Sequence, residues 1–226
     1  NYTEIFLKAN EHYKNGEFKK AFELYKTIPN PVSQVNYNLG NCAYKLGKYG
    51  HALLYWRRAE RDWGFLNRTE LIENIALLKS KLNKGTKKKG NVFQYLSIAK
   101  NYIFSIVRAA PLFVIQFLFL ILWFFMFLYI KYLYRKKRRF LIVILFVLIS
   151  ILGPLLVIRY SLYYRHRGVV LGKKVILLSG PGKTFQKLGS LPEAAEVLIQ
   201  KESGKFYKVK FYKQIGWVSQ KDIGKI

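Results

Sequence analysis

The sequence is poor in cysteine and histidine, and these shortages exclude several kinds of chemistry. Cys42 is the only cysteine among 226 residues, so an intrachain disulfide is impossible. Cys42 lies among apolar residues at helical spacing, which favours a small buried hydrophobe over a reactive thiol. The three histidines, His12, His51 and His166, are far apart and have no neighbours at metal-ligand spacing. The sequence therefore predicts no metal site.

No catalytic or cofactor-binding motif is complete. Gly182-Lys183-Thr184 matches the end of a phosphate-binding loop, but that motif needs a glycine five residues earlier, where this chain has Leu177. There is no nucleophile elbow and no paired-carboxylate pattern. We therefore expect no enzyme activity and no cofactor.

Acidic residues are also scarce. The chain has 12 Asp and Glu against 39 Lys and Arg, a formal net charge of +27. Such an excess can indicate nucleic-acid binding. Here the basic residues are spread along the whole chain and are densest beside two apolar runs, where anionic lipid headgroups attract them. We therefore expect membrane lipids as partners and no nucleic acid.

The two apolar runs, Ala109–Ile130 and Phe140–Ile158, contain no charged residue. As a helix the first would be about 33 Å long, which matches a hydrocarbon core of roughly 30 Å. They predict a transmembrane hairpin over residues 109–158 with a hinge at 131–139. Gly153-Pro154 predicts a kink in the second span.

The charge of the hinge predicts the orientation. Short loops that are rich in Lys and Arg stay in the cytoplasm, and the outer flanks are less basic. Both soluble parts are then expected on the extracytoplasmic side of the membrane. The chain begins with Asn1 and not Met, which either a cleaved signal peptide or a sequence starting within a longer chain would explain. The hinge cations are Lys131, Arg135, Lys136, Lys137, Arg138 and Arg139.

Residues 1–82 contain an internal repeat. Ala9, Gly16, Ala21 and Tyr25 recur 31 positions later as Gly40, Gly47, Ala52 and Trp56. Small residues at fixed positions let two helices approach closely, and a glycine forms the turn between them. The pattern resembles the tetratricopeptide repeat. A further helix follows, with a capping box at Asn67 and Glu70 and an apolar stripe that would cover the last repeat. The stripe is Leu71, Ile75, Leu78 and Leu82.

The resemblance implies a concave groove that binds a protein segment. Asn10 and Asn41 are similar to the asparagines of carboxylate-clamp repeats, although Phe6 stands where those repeats have a basic residue. A solvated polar face without a ligand is the alternative. The predicted groove residues are Phe6, Asn10, Tyr13, Lys14, Tyr37, Asn41, Tyr44 and Lys45.

Residues 83–108 predict a basic linker followed by an amphipathic interfacial helix over Asn91–Arg108. After the hairpin, residues 168–226 change to a period of two with β-branched side chains. Five strands are predicted, at Val169–Leu171, Val175–Leu178, Ala195–Gln200, Phe206–Phe211 and Ile215–Val218.

These strands and the triplet Gly216-Trp217-Val218 resemble a bacterial SH3-like barrel. We expect Trp217 to fill one end of that barrel. The sequence thus predicts a multidomain membrane protein: an all-α tetratricopeptide repeat domain, a two-helix transmembrane hairpin and a small all-β barrel.

The order of these parts resembles the BatE family, the tetratricopeptide member of the aerotolerance (Bat) operon. The resemblance implies a multi-pass protein of the bacterial inner membrane with periplasmic soluble domains. It also implies membrane partners with von Willebrand factor A domains and, indirectly, a MoxR-type ATPase. It implies a non-catalytic scaffold linked to envelope stress tolerance. The alternative is a cell-wall tether, because bacterial SH3-like domains often bind peptidoglycan.

Overall fold

The computed structural model describes residues 1–62, 69–82, 112–135, 139–164 and 166–226. Over these ranges the protein has seven α-helices and one seven-stranded antiparallel sheet. The chain divides into two compact units, one of Asn1–Lys87 with Arg165–Ile226 and one of Lys88–Tyr164. The predicted linker and interfacial helix, 83–108, lie outside the described residues.

The first five helices form two helical hairpins and a closing helix. They are α1 (Tyr2–Lys14), α2 (Phe18–Lys26), α3 (Ser33–Lys45), α4 (Tyr49–Asp62) and α5 (Thr69–Leu82). The turns within the hairpins contain Gly16 and Gly47, with φ of 79° and 71°. Side chains avoid this left-handed region, so glycine is the residue that makes both turns without strain.

The predicted close approach of the two helices in a hairpin is confirmed at Gly40. A Cβ at Gly40 would lie 2.3 Å from Cδ1 of Trp56, whose side chain is fully buried. Ala9, Ala21 and Ala52 are also fully buried. The small residues of the repeat therefore mark contacts where a larger side chain would force the helices apart.

Helix α5 covers the second hairpin with three of its four predicted stripe residues. Leu71, Ile75 and Leu78 are buried in the helical core, whereas Leu82 is 39% exposed at the helix end. Asn67 of the predicted capping box lies outside the described residues. Glu70 instead accepts a hydrogen bond from the Tyr37 hydroxyl at 3.1 Å.

The described residues of the second unit form two helices, α6 (Leu112–Arg135) and α7 (Arg139–Tyr164). Both are long and apolar enough to cross a membrane, over Phe113–Tyr132 and Phe140–Ile158. The two helices contact each other. A Cβ built at Gly153 of α7 would lie 3.7 Å from Cε2 of Phe119 in α6.

Both helices extend into the range that was predicted for the hinge, 131–139. Lys131 and Arg135 belong to α6, and α7 begins at Arg139. The other hinge cations, 136–138, lie outside the described residues. Pro154 lies inside α7, which continues past it to Tyr164.

The seven strands are all antiparallel and follow the order β3-β2-β6-β5-β4-β1-β7. Their bounds are β1 Arg167–Val170, β2 Lys174–Leu178, β3 Lys187–Pro192, β4 Glu196–Ser203, β5 Phe206–Phe211, β6 Gln214–Ser219 and β7 Ile223–Lys225. All five predicted strands are present: Phe206–Phe211 has the predicted bounds, and the other four differ from their predictions at one or both ends. Strands β3 and β7 were not predicted, because β3 contains Gly189 and Pro192 and β7 is very short. As an edge strand, β3 tolerates both residues.

One cluster of buried side chains receives a contribution from every strand, from Val170 in β1 to Ile223 in β7. A single sheet can enclose one common core only by curling around it. Trp217 is half-buried, belongs to neither buried cluster and alternates with the buried Val218. The prediction that Trp217 fills the barrel core is therefore wrong.

Candidate functional site

The predicted groove residues lie on helices α1 and α3. Lys14 and Lys45 are exposed, and the six other predicted residues are half-buried. A cavity of about 300 Å³ opens beside α1. Three of the eight predicted residues line it: Asn10, Tyr13 and Lys14. Leu7, Glu11, Tyr25 and Asn38 complete its lining.

Asn10 and Asn41 hold the helices of their own hairpins together. The Tyr25 hydroxyl donates a hydrogen bond to Oδ1 of Asn10, and the Trp56 Nε1–H donates one to Oδ1 of Asn41 at 3.0 Å. These contacts are repeat-related, since both partners recur 31 positions apart. Asn38 Nδ2 also donates to Oδ1 of Asn10 at 3.2 Å. Both amide oxygens thus accept internal hydrogen bonds, whereas a clamp would bind a carboxylate through the Nδ2–H donors of the same side chains.

Burial keeps the tyrosines of this surface neutral. It raises the pKa of Tyr25 to about 12 and raises the pKa of Tyr13 and Tyr37 above the ordinary value. A neutral phenol donates a hydrogen bond and also buries apolar surface. Burial likewise raises the pKa of the Cys42 thiol to about 12. Cys42 is fully buried, as predicted, and is no candidate nucleophile.

The second half of the predicted groove is closed by α5. The Lys81 ammonium lies 4.9 Å from the ring centre of Tyr49 and 5.2 Å from that of Tyr44. Tyr44 also packs on Trp56 with ring centroids 5.7 Å apart. Tyr44 is therefore held by its neighbours, so the open part of the groove is the cavity beside α1.

The sequence did not predict that the sheet packs directly on helix α4. A Cβ at Gly50 would lie 2.5 Å from the carbonyl oxygen of Val170, and one at Gly224 would lie 2.3 Å from Cδ2 of Leu54. The Gly50 amide donates to Oε1 of Glu193 at 2.9 Å. This carboxylate satisfies an amide at the first turn of α4, where negative charge is favoured.

A buried ion-pair cluster lies at this junction. Arg57 Nη1 donates to Oε2 of Glu60 at 2.6 Å, and Nη2 donates to Oε1 of Glu196 at 2.7 Å. Lys79 of α5 donates to the same Glu196 oxygen at 2.8 Å. Arg57 is 7% exposed, so its charge depends on these two carboxylates for compensation. Arg58 adds two hydrogen bonds to the Lys225 carbonyl oxygen.

The cluster strongly favours its charged forms. Burial alone would raise the pKa of Glu196, but attraction by Arg57 and Lys79 and their hydrogen bonds outweighs it and places that pKa well below its usual range. Burial opposes the charge of Arg57, and the two carboxylates overcome this effect, so its pKa is raised. Both groups are therefore ionised at neutral pH.

A signal for this cluster exists in the sequence. Arg57 and Glu60 lie three residues apart in α4, within the apolar pattern of Leu53, Trp56 and Ala59. Charges at such positions need a partner from another element. The sequence could not name Glu196 as that partner, because no local pattern connects positions 57 and 196.

A second cavity, of about 720 Å³, opens where α5 meets the sheet. Its lining includes Lys79, Leu82, Lys173, Phe211 and Tyr212. Tyr212 is 84% exposed and has a positive φ of 51°. The cavity is wide and mixes cations with aromatic rings.

The described residues contain no group of three or more His, Cys, Asp or Glu side chains that could hold a metal. His12 is hydrogen-bonded to Glu17, and burial lowers the pKa of the half-buried His51. Lys183 and Thr184 lie exposed between β2 and β3. No protein-family model matches the chain, and no curated protein matches it.

Proposed function

We propose that this protein is a membrane-anchored, non-catalytic scaffold that binds a protein segment through its repeated helical hairpins. The observation that carries the proposal is the duplication of one packing scheme. Gly16 and Gly47 make equivalent turns, and the pairs Asn10–Tyr25 and Asn41–Trp56 make equivalent contacts. Helical repeats of this kind present extended concave surfaces for protein partners.

The sequence resemblance supports a finer proposal. The hairpins would be tetratricopeptide repeats, the curled sheet a bacterial SH3-like barrel, and the chain a member of the BatE family. The two apolar helices would anchor it as a multi-pass protein of a bacterial inner membrane. Its expected partners would then be membrane proteins with von Willebrand factor A domains, and indirectly a MoxR-type ATPase.

The cavity beside α1 is the proposed contact point. It is lined by the exposed Leu7 and Lys14, by Glu11, and by the neutral hydroxyl of Tyr13. A partner segment could therefore bury an apolar side chain on Leu7 and place polar groups against Lys14 and Glu11.

Site-specific photocrosslinking of the full chain in its native membrane tests this proposal. A benzophenone amino acid at Leu7 is expected to form an adduct with a protein that contains a von Willebrand factor A domain. The matched control is the same amino acid at Lys19, which is exposed on α2 outside the cavity. Lys14→Glu should reduce the Leu7 adduct about fivefold, since a reversed charge at an interface rim costs roughly 1 kcal/mol. Equal adducts at Leu7 and Lys19 would count against the groove.

The orientation is tested separately with reporter fusions. A reporter active only in the periplasm should work when fused after Ile226 and fail within residues 131–139. The opposite result would place both soluble parts in the cytoplasm. The cell-wall alternative predicts that the full chain is retained on purified peptidoglycan, whereas the scaffold proposal predicts no retention beyond that of a denatured control.

A further inference from the structure

The curled sheet has an outer face that combines lysines with exposed apolar side chains. Lys208 of β5 pairs with Trp217 of β6, and Lys210 pairs with Ile215. The alternating positions Val209 and Val218 are fully buried. Since neighbouring residues of a strand point to opposite faces, the two lysines, Ile215 and Trp217 share the outer face.

The same face continues onto strand β2. Leu178 pairs with Trp217, which places Ile176 on the outer side of the sheet as well. Ile176 is 45% exposed and Ile215 is 44% exposed. We name the set Ile176, Lys208, Lys210, Ile215 and Trp217 the outer face. Phe185 and Leu188, on the connection to β3 and on β3 itself, are exposed beside it.

The charge around the outer face has one sign. Positions 173–192 and 203–221 include strands β2, β3, β5 and β6, and they contain nine lysines and neither Asp nor Glu. Within the sheet the acidic residues Glu196 and Glu202 belong to β4, where each is already paired with a lysine or arginine. Glu193, Glu202 and Asp222 adjoin these ranges; Glu193 accepts a hydrogen bond from the Gly50 amide, and Glu202 pairs with Lys225. The nine lysines of these ranges outnumber these carboxylates, so the face attracts an anionic surface.

We propose that the outer face docks on the anionic phospholipid surface of a membrane. Lysines with apolar stems next to Trp and Ile suit the headgroup region, where the rings and aliphatic chains reach the acyl boundary and the ammonium groups contact phosphates. A soluble polyanion would engage the lysines but would leave Ile176, Ile215 and Phe185 in water. The docking rests on the proposed membrane crossing.

The length of the connecting chain is compatible with this docking. In the sequence, the apolar window ends at Ile158 and strand β1 begins at Arg167. Even if fully extended, the intervening residues reach only about 30 Å. An anionic bilayer would thus be present at high effective concentration, so a weak contact would be populated.

The test uses the full chain in nanodiscs, labelled with an environment-sensitive dye at a new cysteine, Ser190→Cys. Ser190 is exposed and pairs with Ile176 from the neighbouring strand. The native Cys42 is fully buried and should not react with the dye. Spin-labelled lipids then quench the dye if it approaches the bilayer. We expect strong quenching in discs with phosphatidylglycerol, weak quenching in pure phosphatidylcholine discs, and reversal by high salt.

A charge-matched pair of variants locates the effect. The double variant Lys208→Gln, Lys210→Gln should shift the docking equilibrium roughly 25-fold toward the undocked state. Each lysine near an anionic surface is expected to raise the docking equilibrium constant about fivefold. The control double variant Lys8→Gln, Lys19→Gln removes the same charge from exposed positions on α1 and α2. It should leave quenching unchanged.

Three results would overturn the docking. They are equal quenching in both kinds of disc, no quenching in either, or equal loss in both double variants. A dye response in phosphatidylcholine discs that appears only with a soluble anionic cell-wall polymer would assign the outer face to that polymer. Failure of the chain to enter any disc would refute the membrane crossing, which is a separate outcome that also removes this docking.

Discussion

Replacing Arg57 with methionine is expected to lower the free energy of unfolding of the helix–sheet unit by about 3–5 kcal/mol. The guanidinium bonds to Glu60 and Glu196, and Glu60 is only 8% exposed. Methionine would keep much of the apolar stem but leave two carboxylates without their shared cation. Lys79 would still contact Glu196, so part of the compensation of that carboxylate should remain.

Chemical unfolding of the full chain in detergent, followed by tryptophan fluorescence and hydrogen exchange of α4 and β1, measures this effect. Lys8→Met is the control, because it removes a cation from an exposed position on α1. Adding Glu60→Gln to Arg57→Met should restore part of the stability, since one of the two carboxylates that lost the guanidinium is then neutral. Equal stability of the Arg57 and Lys8 variants would show that the ion-pair cluster does not stabilise the junction.

The same cluster predicts a loss of stability in acid. The pKa of Glu196 is lower in the folded protein than in the unfolded chain, so its contribution is fully present above the unfolded value of about 4.3. The contribution is lost as the pH falls from there through the folded value. The protection factors of the β1 amides should therefore fall below about pH 4.5, and Glu196→Gln should weaken this pH dependence.

Replacing Gly50 with alanine is expected to destabilise the junction by about 3 kcal/mol, the upper end of the range for overpacking. The added Cβ would lie 2.5 Å from the Val170 carbonyl oxygen and 2.7 Å from the Leu171 Cα. Both atoms belong to the backbone, so no side-chain rotation can relieve the clash. The sheet must move away from α4, which also lengthens the hydrogen bond from the Gly50 amide to Glu193.

Gly189→Ala is the matched control for this substitution. Nothing lies within 4 Å of a Cβ at Gly189, and its φ is not in the left-handed region. The melting temperature of the Gly189 variant should therefore equal that of the original chain, whereas the Gly50 variant should melt several degrees lower and exchange faster in α4 and β1. Similar melting of the two variants would contradict the close packing of sheet and helix.

These predictions concern the junction between α4 and the sheet, which changes how the two soluble parts of the chain are understood. The sequence suggests two modules separated by a transmembrane hairpin. In the structure, residues on both sides of that hairpin belong to one compact unit.

In the candidate site, too, some contacts follow from local sequence patterns and others join distant positions of the chain. Repeat spacing correctly located the tight packing of Gly40 and the turn glycines, because those contacts lie within one helical hairpin. It did not predict that Asn10 and Asn41 accept hydrogen bonds from aromatic side chains 15 positions away. A polar residue on a helix surface has the same sequence signature whether it faces a ligand or a neighbouring helix.

The sequence by itself determined the two apolar helices, the repeated helical hairpins and five of the seven strands. Each depends on a periodicity or an uninterrupted apolar run within a single element, and such patterns are local. Only the tertiary structure decided the edge strand β3, the short strand β7 and the junction of α4 with the sheet. The Arg57–Glu196 pair joins positions 139 residues apart, and the partner of a buried charge becomes known only when both elements are packed together.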